Sequence, residues 1–349
     1  MYPCIEIKPD GILHNIRTLK EMCNRHGMSL SVVTKMLVGY EPLVRYLVEE
    51  SGITSICDSR IENLEAFVDI KAEKWLIRSP MLSQVSDVVK FADVSLNSEL
   101  EIIKALNEEA KKQGKRHKVI LMFECGDLRE GCYTDELIRI SRECLGMTNI
   151  ELYGIGTNLS CLNEVLPSEN NMALLEQAVN AVQDELGIKL PVVSGGASSS
   201  IKLLSEGKLP SVINNMRMGE AVFLGNIPIL DEPFSGARED NFILKAEIIE
   251  LKEKPSVPET LPQNTDKLMK RAITAIGKQD IYLPGLKCAD SRIKIIGGSS
   301  DHVVLDVSEC EDDYKIGSTV DFRMTYNCLL NAMTSKYVRK KNIEINQQN

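Results

Sequence analysis

Three features of the sequence could act together on one small molecule. Lys35 follows an apolar run in SLSVVTKMLVGY (29–40). A partly buried lysine amine at a strand end forms a Schiff base with an aldehyde and, once released, takes up a proton. The run VVSGGASSS (192–200) offers successive backbone N–H groups and hydroxyls, and the helix expected after it adds a favourable dipole. Such a loop holds a phosphate. Arg217 sits in INNMRMGEAVFLG (213–225), at the end of another apolar segment. A guanidinium stays charged at working pH. Facing a pyridine nitrogen, it donates a hydrogen bond, leaves that nitrogen unprotonated and makes the ring a weaker electron sink. Singly these are a solvated lysine, a flexible turn and an ion-paired arginine. Together they read as a site for pyridoxal 5'-phosphate.

The elements that must position them alternate. Residues 10–26 place Ile12, Leu13, Ile16, Leu19 and Cys23 on one helical face, with Asp10 as N-cap and Gly27 as the stop. Strand patterns follow at 29–33, 53–57, 74–77, 93–96, 118–123, 151–155, 190–193 and 212–216, most of them separated by helical segments. Eight such strands argue for a (β/α)8 barrel of the TIM type. The active site of such a barrel lies at the C-terminal strand ends. There the sequence places Lys35, Asp58-Ser59-Arg60, Arg78-Ser79-Pro80, Asn97-Ser98-Glu99, Glu124-Cys125-Gly126-Asp127, Thr157-Asn158, Ser194-Gly195-Gly196 and Arg217. Loops are polar in any protein, but polarity alone does not put the lysine, the arginine and the glycine-serine run on one rim.

The pattern changes after Gly225. Residues 226–241 hold Pro228, Pro233 and Gly236 and read as a linker; FILKAEIIELK (242–252) alternates as a strand, and short strands with turns follow. The expected domains are a cofactor-binding barrel over 9–228 and a β-rich domain over 229–349, joined by an early strand at 3–8. The tail KKNIEINQQN reads as frayed.

Composition narrows the class. With 43% hydrophobic and 26% charged residues the chain is a soluble globular protein. A formal charge of −9 disfavours nucleic acid. No apolar stretch reaches membrane-span length and MYPCIEIKPDG lacks the pattern of a secretion signal, so a cytoplasmic location is expected. The ten cysteines form no C-x-x-C pair and the four histidines are dispersed, which argues for reduced thiols and against a metal site.

On these residues the chain resembles the fold-type III pyridoxal-phosphate enzymes, the alanine-racemase-like proteins, and among them the ornithine racemase branch. The resemblance runs through VVTK (32–35), DSRIENL (58–64), SLNSEL (95–100), GDLREG (126–131), GIGTNLSC (154–161), NNMRMGEA (214–221), EIIELKEKPS (247–256), AIGKQD (275–280) and GGSSDHVVLDV (297–307). It implies a barrel with a β-domain, a homodimer with composite active sites, and Lys35 as the cofactor lysine. It places Arg217 at the pyridine nitrogen and Gly196, Ser198, Ser199 and Gly219 at the phosphate. It also brings Tyr326 to the phosphate, Arg129 to cofactor and substrate carboxylate, and Asp301 near the dimer-completed site.

Three departures bear on mechanism. The histidine usual beside the cofactor ring is Asn158 here. The tyrosine after the lysine is shifted by one in Gly39-Tyr40. The family's second base, a tyrosine of the partner subunit, is missing from EKPSVPET, and no tyrosine occurs between Tyr153 and Tyr282. Inverting Cα needs a proton-transfer group on each face. Opposite Lys35 the candidates are His302, Asp301, Ser256 or a cysteine. His302 is favoured because histidine exchanges protons nearest neutral pH, and Asp301 would orient its ring. Glu124, Asp127, Asp58 and Asp301 are candidates for binding a distal substrate ammonium. The expected activity is racemisation of ornithine or a related basic amino acid. The rivals are a fold-type III decarboxylase of basic amino acids and a non-catalytic pyridoxal-phosphate carrier, the latter disfavoured by the second domain.

Overall fold

A computed structural model describes residues 1–257, 268–310 and 313–342 of the chain. They divide into two compact units, Ile12–Arg238 and Met1–Gly11 with the chain from Glu239 onward. The division falls ten residues beyond the expected boundary, because the segment after Pro228 is a hairpin and turn rather than a linker.

The chain opens with strand β1 (Cys4–Ile7) and helix α1 (Pro9–Arg25). On α1, Ile12, Ile16, Leu19 and Cys23 recur every three or four residues and are fully buried. Asp10 lies in the first turn rather than at the N-cap, where its carboxylate suits the helix dipole.

Eight strands of the first unit follow: β2 (Ser29–Val33), β3 (Ser55–Asp58), β4 (Glu73–Leu76), β5 (Val94–Asn97), β6 (His117–Met122), β7 (Ile150–Gly156), β8 (Val192–Ser194) and β9 (Asn215–Met218). They pair in that order, and β9 returns to β2 in parallel with Arg217 opposite Ser31, closing the barrel. Parallel neighbours need crossovers. Those are α2 (Glu41–Ser51), α3 (Ile61–Ala66), α4 (Val85–Phe91), α5 (Leu100–Lys112), α6 (Thr134–Leu145), α7 (Glu169–Leu186) and α8 (Ile201–Ser205). Helix α9 (Glu220–Leu224) and the hairpin β10 (Asn226–Ile227) with β11 (Glu232–Pro233) complete the unit.

Residues two apart on a strand share a face. Val33, Cys57, Trp75, Val94, Leu96, Ile120, Met122 and Val192 form one buried apolar cluster. Two residues along the same faces of β2, β3 and β8 stand Ser31, Ser55 and Ser194, joined by Asn215 and Arg217 of β9. They form a polar chain: Ser194 Oγ donates to Asn215 Oδ1 at 2.7 Å, Asn215 Nδ2 donates to Ser31 Oγ at 2.9 Å, and the Ser31 and Ser55 hydroxyls are 2.7 Å apart. Arg217 heads this chain from inside β9, not from beyond the strand as the expected 212–216 segment required. The difference arises because Ile213 closes a turn, its N–H on the Pro210 carbonyl at 3.1 Å, so the strand starts later.

The second unit contains β12 (Phe242–Pro255), β13 (Leu268–Thr274), β14 (Leu286–Cys288), β15 (Lys294–Gly298), β16 (Val303–Asp306), β17 (Thr319–Met324), α10 (Tyr326–Thr334) and β18 (Arg339–Asn342). Its antiparallel sheet runs β14-β17-β12-β13-β16-β15. Phe242, Leu244, Ala246 and Ile248 alternate inward along β12. Strand β1 pairs antiparallel with β12, Cys4 opposite Lys245, and parallel with β18. Residues 258–260 of EKPSVPET and the tail beyond 342 lie outside the described residues. Among those described, no helix is long and apolar enough to cross a membrane.

Candidate active site

Lys35 opens a single 3-10 turn, Lys35–Leu37, two residues past β2. The preceding Thr34 holds the turn in place. Its N–H and hydroxyl donate to the Cys57 carbonyl at 2.8 and 3.1 Å, and the hydroxyl also donates to Asp58 Oδ2 at 2.9 Å. Asp58 is fully buried, and its other oxygen accepts from Asn63 Nδ2 at 2.9 Å and Arg60 N–H at 3.0 Å. Burial pushes this carboxyl above its ordinary value, and the same donors pull it back down. Lys35 is half-buried, flanked by buried Met36 and Leu37. Val38 then adopts a left-handed conformation at φ 51°, an unfavourable one for a β-branched residue that needs surrounding structure to persist. Glu220, at the start of α9, is pushed up by burial, while an Asn226 hydrogen bond and the charge of Lys35 pull it down.

Arg217 is 3% exposed. Its Nη2 donates to the Thr157 carbonyl at 2.7 Å and to Asn158 Oδ1 at 2.7 Å, and its Nη1 donates to Ser194 Oγ. These contacts use part of the guanidinium's donor fork. Gly156 makes room for it: a Cβ there would lie 3.2 Å from Arg217 Nη1. Burial lowers the arginine's pKa from its ordinary value, though not enough to deprotonate a guanidinium in practice.

The glycine-serine run forms the loop after β8 and a 3-10 turn, Ser198–Ser200. Gly196 has φ +107°, which a side chain would resist. Ser198 Oγ accepts the N–H groups of Gly219 at 3.3 Å and Ala221 at 3.2 Å, tying this loop to the start of α9. Gly219 packs so closely on β2 that a Cβ would sit 2.9 Å from the Val33 carbonyl oxygen. The buried hydroxyl of Ser199 has no hydrogen-bond partner among the described residues. A buried donor without an acceptor is costly unless a ligand completes it. This cradle therefore fits a phosphate, and a charged guanidinium in the same barrel fits a ring acceptor. The residues present fit pyridoxal phosphate.

The loops after β6 and β7 supply the remaining polar groups. Arg129 pairs with Glu130 through Nε and Nη2, which raises the arginine's pKa further. Asn158 Nδ2 donates to Glu130 Oε1 at 2.8 Å. Leu128, just before Arg129, is left-handed at φ 52°. Asp127 is almost wholly buried and accepts the backbone N–H groups of Cys161, Leu162 and Asn163 at 3.1–3.4 Å. Glu124 accepts from Gly126 N–H. The rim carboxylates expected to meet a substrate ammonium are thus already engaged: Asp58 and Asp127 organise loops, and Glu124 caps its own turn.

His302, Asp301 and Tyr326 belong to the second unit. Gln279 Nε2 donates to Asp301 Oδ1, while His302 Nδ1 lies 3.3 Å from Ser299 Oγ. Both residues are exposed. Tyr326 is half-buried and is the first residue of α10. Sequence reading gave no individual role to Glu130 or Thr157, and it placed Ser194 in the phosphate loop rather than on Arg217. Thr157 and Ser194 stood on the expected rim; Glu130 had only its adjacency to Arg129 as a signal.

Comparison with known proteins identifies the family and the fold. The family described as alanine racemase, N-terminal domain, matches residues 7–226. An ornithine racemase of Acetoanaerobium sticklandii is 41% identical, covering 98% of this chain and 99% of that relative. A lysine racemase of Thermotoga maritima is 34% identical, covering 97% and 98% respectively. The crystal structure of alanine racemase from Bartonella henselae with covalently bound pyridoxal phosphate superposes with a TM-score of 0.77 at 15% identity, over 98% of this chain and all of that one, and shows the shared fold.

Proposed function

The chain belongs to the alanine racemase N-terminal-domain family, and from that premise we propose that it racemises ornithine. It is a pyridoxal-phosphate-dependent amino-acid racemase acting on basic substrates. The observation that carries the reading is the buried Arg217, seated within the same barrel as Lys35 and a serine loop whose Ser199 hydroxyl has no partner among the described residues. When bound, pyridoxal phosphate supplies an electron-withdrawing ring that acidifies the α-proton of an amino acid joined to it. Gly196, Ser198, Ser199 and Gly219 would hold the phosphate from the barrel, with Tyr326 as a further contact. Arg217, steadied by Asn158, would donate to the ring nitrogen and keep the ring a moderate electron sink. Arg129 would orient the substrate carboxylate. Lys35 would hold the cofactor and then move the proton at Cα on one face.

The proton on the opposite face is assigned to His302 of the partner subunit in a homodimer with shared sites. Asp301, which accepts from Gln279 through Oδ1, would orient the imidazole with its other oxygen. Mixing Lys35→Ala with His302→Ala subunits would then restore about a quarter of normal activity at full random exchange, because half of the dimers are heterodimers and each carries one intact site. A fully active His302→Ala enzyme excludes this residue. Ten cysteines, none bonded to another, suit a reducing compartment and support action in the cytoplasm.

The direct test is a chiral assay in deuterium oxide over L-ornithine, L-lysine and L-alanine. D-Ornithine carrying deuterium at Cα is expected. Release of a diamine and carbon dioxide without inversion would identify a decarboxylase and overturn the reading.

A further inference from the structure

Glu130 joins the two arginines of the site. Its Oε2 accepts from Arg129 Nε, and its Oε1 accepts from Arg129 Nη2 and, at 2.8 Å, from Asn158 Nδ2. The Asn158 amide then accepts from Arg217 Nη2 at 2.7 Å. This pair of contacts dictates the amide's orientation. Reversed, its NH2 would face guanidinium N–H groups and its oxygen would face a carboxylate.

Arg217 needs such a link. Its recorded acceptors, the Thr157 carbonyl, the Ser194 hydroxyl and the Asn158 amide oxygen, are all neutral. Among the described residues no carboxylate oxygen is within hydrogen-bond distance of it. A cation this deeply buried is held best when an anion compensates it. Glu130 is one amide away, and an amide bonded to a carboxylate at its N–H end is polarised into a stronger acceptor at its oxygen. The bidentate pairing with Arg129 sets where that carboxylate sits.

We propose that Glu130 is a positioning residue for both arginines, holding Arg129 directly and orienting Arg217 through Asn158, so that its negative charge reaches the cofactor ring. This rests on the reading of Arg217 as the ring-nitrogen donor. In that role Glu130 favours whichever form of the bound chromophore carries more positive charge. Replacing it by glutamine keeps size and removes charge. The more cationic form then loses stabilisation, and the pH midpoint of the chromophore's visible titration falls.

The experiment uses purified holoenzyme titrated from pH 6 to 10 by absorbance, with pyridoxal-phosphate affinity measured on the apoprotein and thermal unfolding run alongside. Glu130→Gln is expected to lower the midpoint by about half a pH unit or more and to weaken cofactor binding several-fold. Glu130→Asp, which retains the charge, is expected to stay nearer wild type in midpoint. An unchanged or raised midpoint in Glu130→Gln overturns the proposal, as does a Glu130→Asp midpoint displaced as far as that of Glu130→Gln. Wild-type protein that takes up no pyridoxal phosphate would overturn the functional reading and this one with it. A wild-type enzyme that binds and racemises beside an unaltered Glu130→Gln titration removes only the role of Glu130.

Discussion

Arg217 donates from Nη2 to the side-chain oxygen of Asn158 at 2.7 Å, across 59 residues of sequence. The contact links the inside of the last barrel strand to the loop beyond β7. It positions the guanidinium through the protein's own acceptors rather than through a ligand. Preorganisation of this kind lowers the cost of ordering the site when a cofactor binds.

Lys35 is expected to be the point of covalent attachment. Borohydride reduction of the holoenzyme followed by peptide mapping should label it, and Lys35→Ala should lose the visible band and at least about a thousandfold in turnover. A label on any other lysine removes Lys35 from the proposed mechanism.

Arg217→Lys should damage both stability and cofactor binding. An ammonium has no planar fork and cannot reproduce contacts to Ser194, Thr157 and Asn158 together, so buried acceptors lose their donor. Urea unfolding should show a loss of about 2–3 kcal/mol, and cofactor affinity should drop at least about tenfold. Wild-type values in both measurements would show that the buried contacts contribute little.

Asp127→Ala tests a loop anchor against a substrate ligand. The change orphans the N–H groups of residues 161–163. Proteolysis within 160–165 should accelerate, and stability should fall by about 1–3 kcal/mol. The preference for ornithine over alanine should survive in the remaining activity. Selective loss of the basic substrate would instead make Asp127 its ammonium partner.

His117 should make the fold acid-sensitive. It is 2% exposed, lies 2.8 Å from the Ser95 hydroxyl through Nε2, and burial lowers its pKa to about 4. The unfolded chain therefore binds the proton more readily than the folded one. The resulting stabilisation is complete above the unfolded value of about 6.5 and is lost as pH falls towards 4, amounting to about 3 kcal/mol. Unfolding free energies of His117→Asn should vary less over that window than those of wild type.

The strands were legible because barrel strands, covered on both faces, read as short apolar runs between polar segments. Lys35 was legible because a lone charge follows such a run. Arg217 was found, yet on the wrong side of its strand end, since a turn at Pro210–Ile213 takes Val212 and Ile213 out of the strand. Glu130 was invisible for a different reason. An acidic residue beside an arginine is the ordinary pattern of an exposed loop, and only folding brings it to Asn158, 28 residues away. Asp58 and Asp127 looked like available rim charges because the donors they meet are backbone N–H groups and amides, which composition does not reveal.

Strand β1 carries a consequence for the order of synthesis. Its antiparallel partner begins at Phe242 and its parallel partner at Arg339. A ribosome releases the first strand long before either exists, while the whole of Ile12–Arg238 can close behind it. The nascent chain must therefore keep a short segment unpaired until β12 and β18 emerge, and the second unit is completed only after β18 has been made. Deleting residues 1–8 should accordingly penalise the late-folding unit first, leaving a barrel that has already closed.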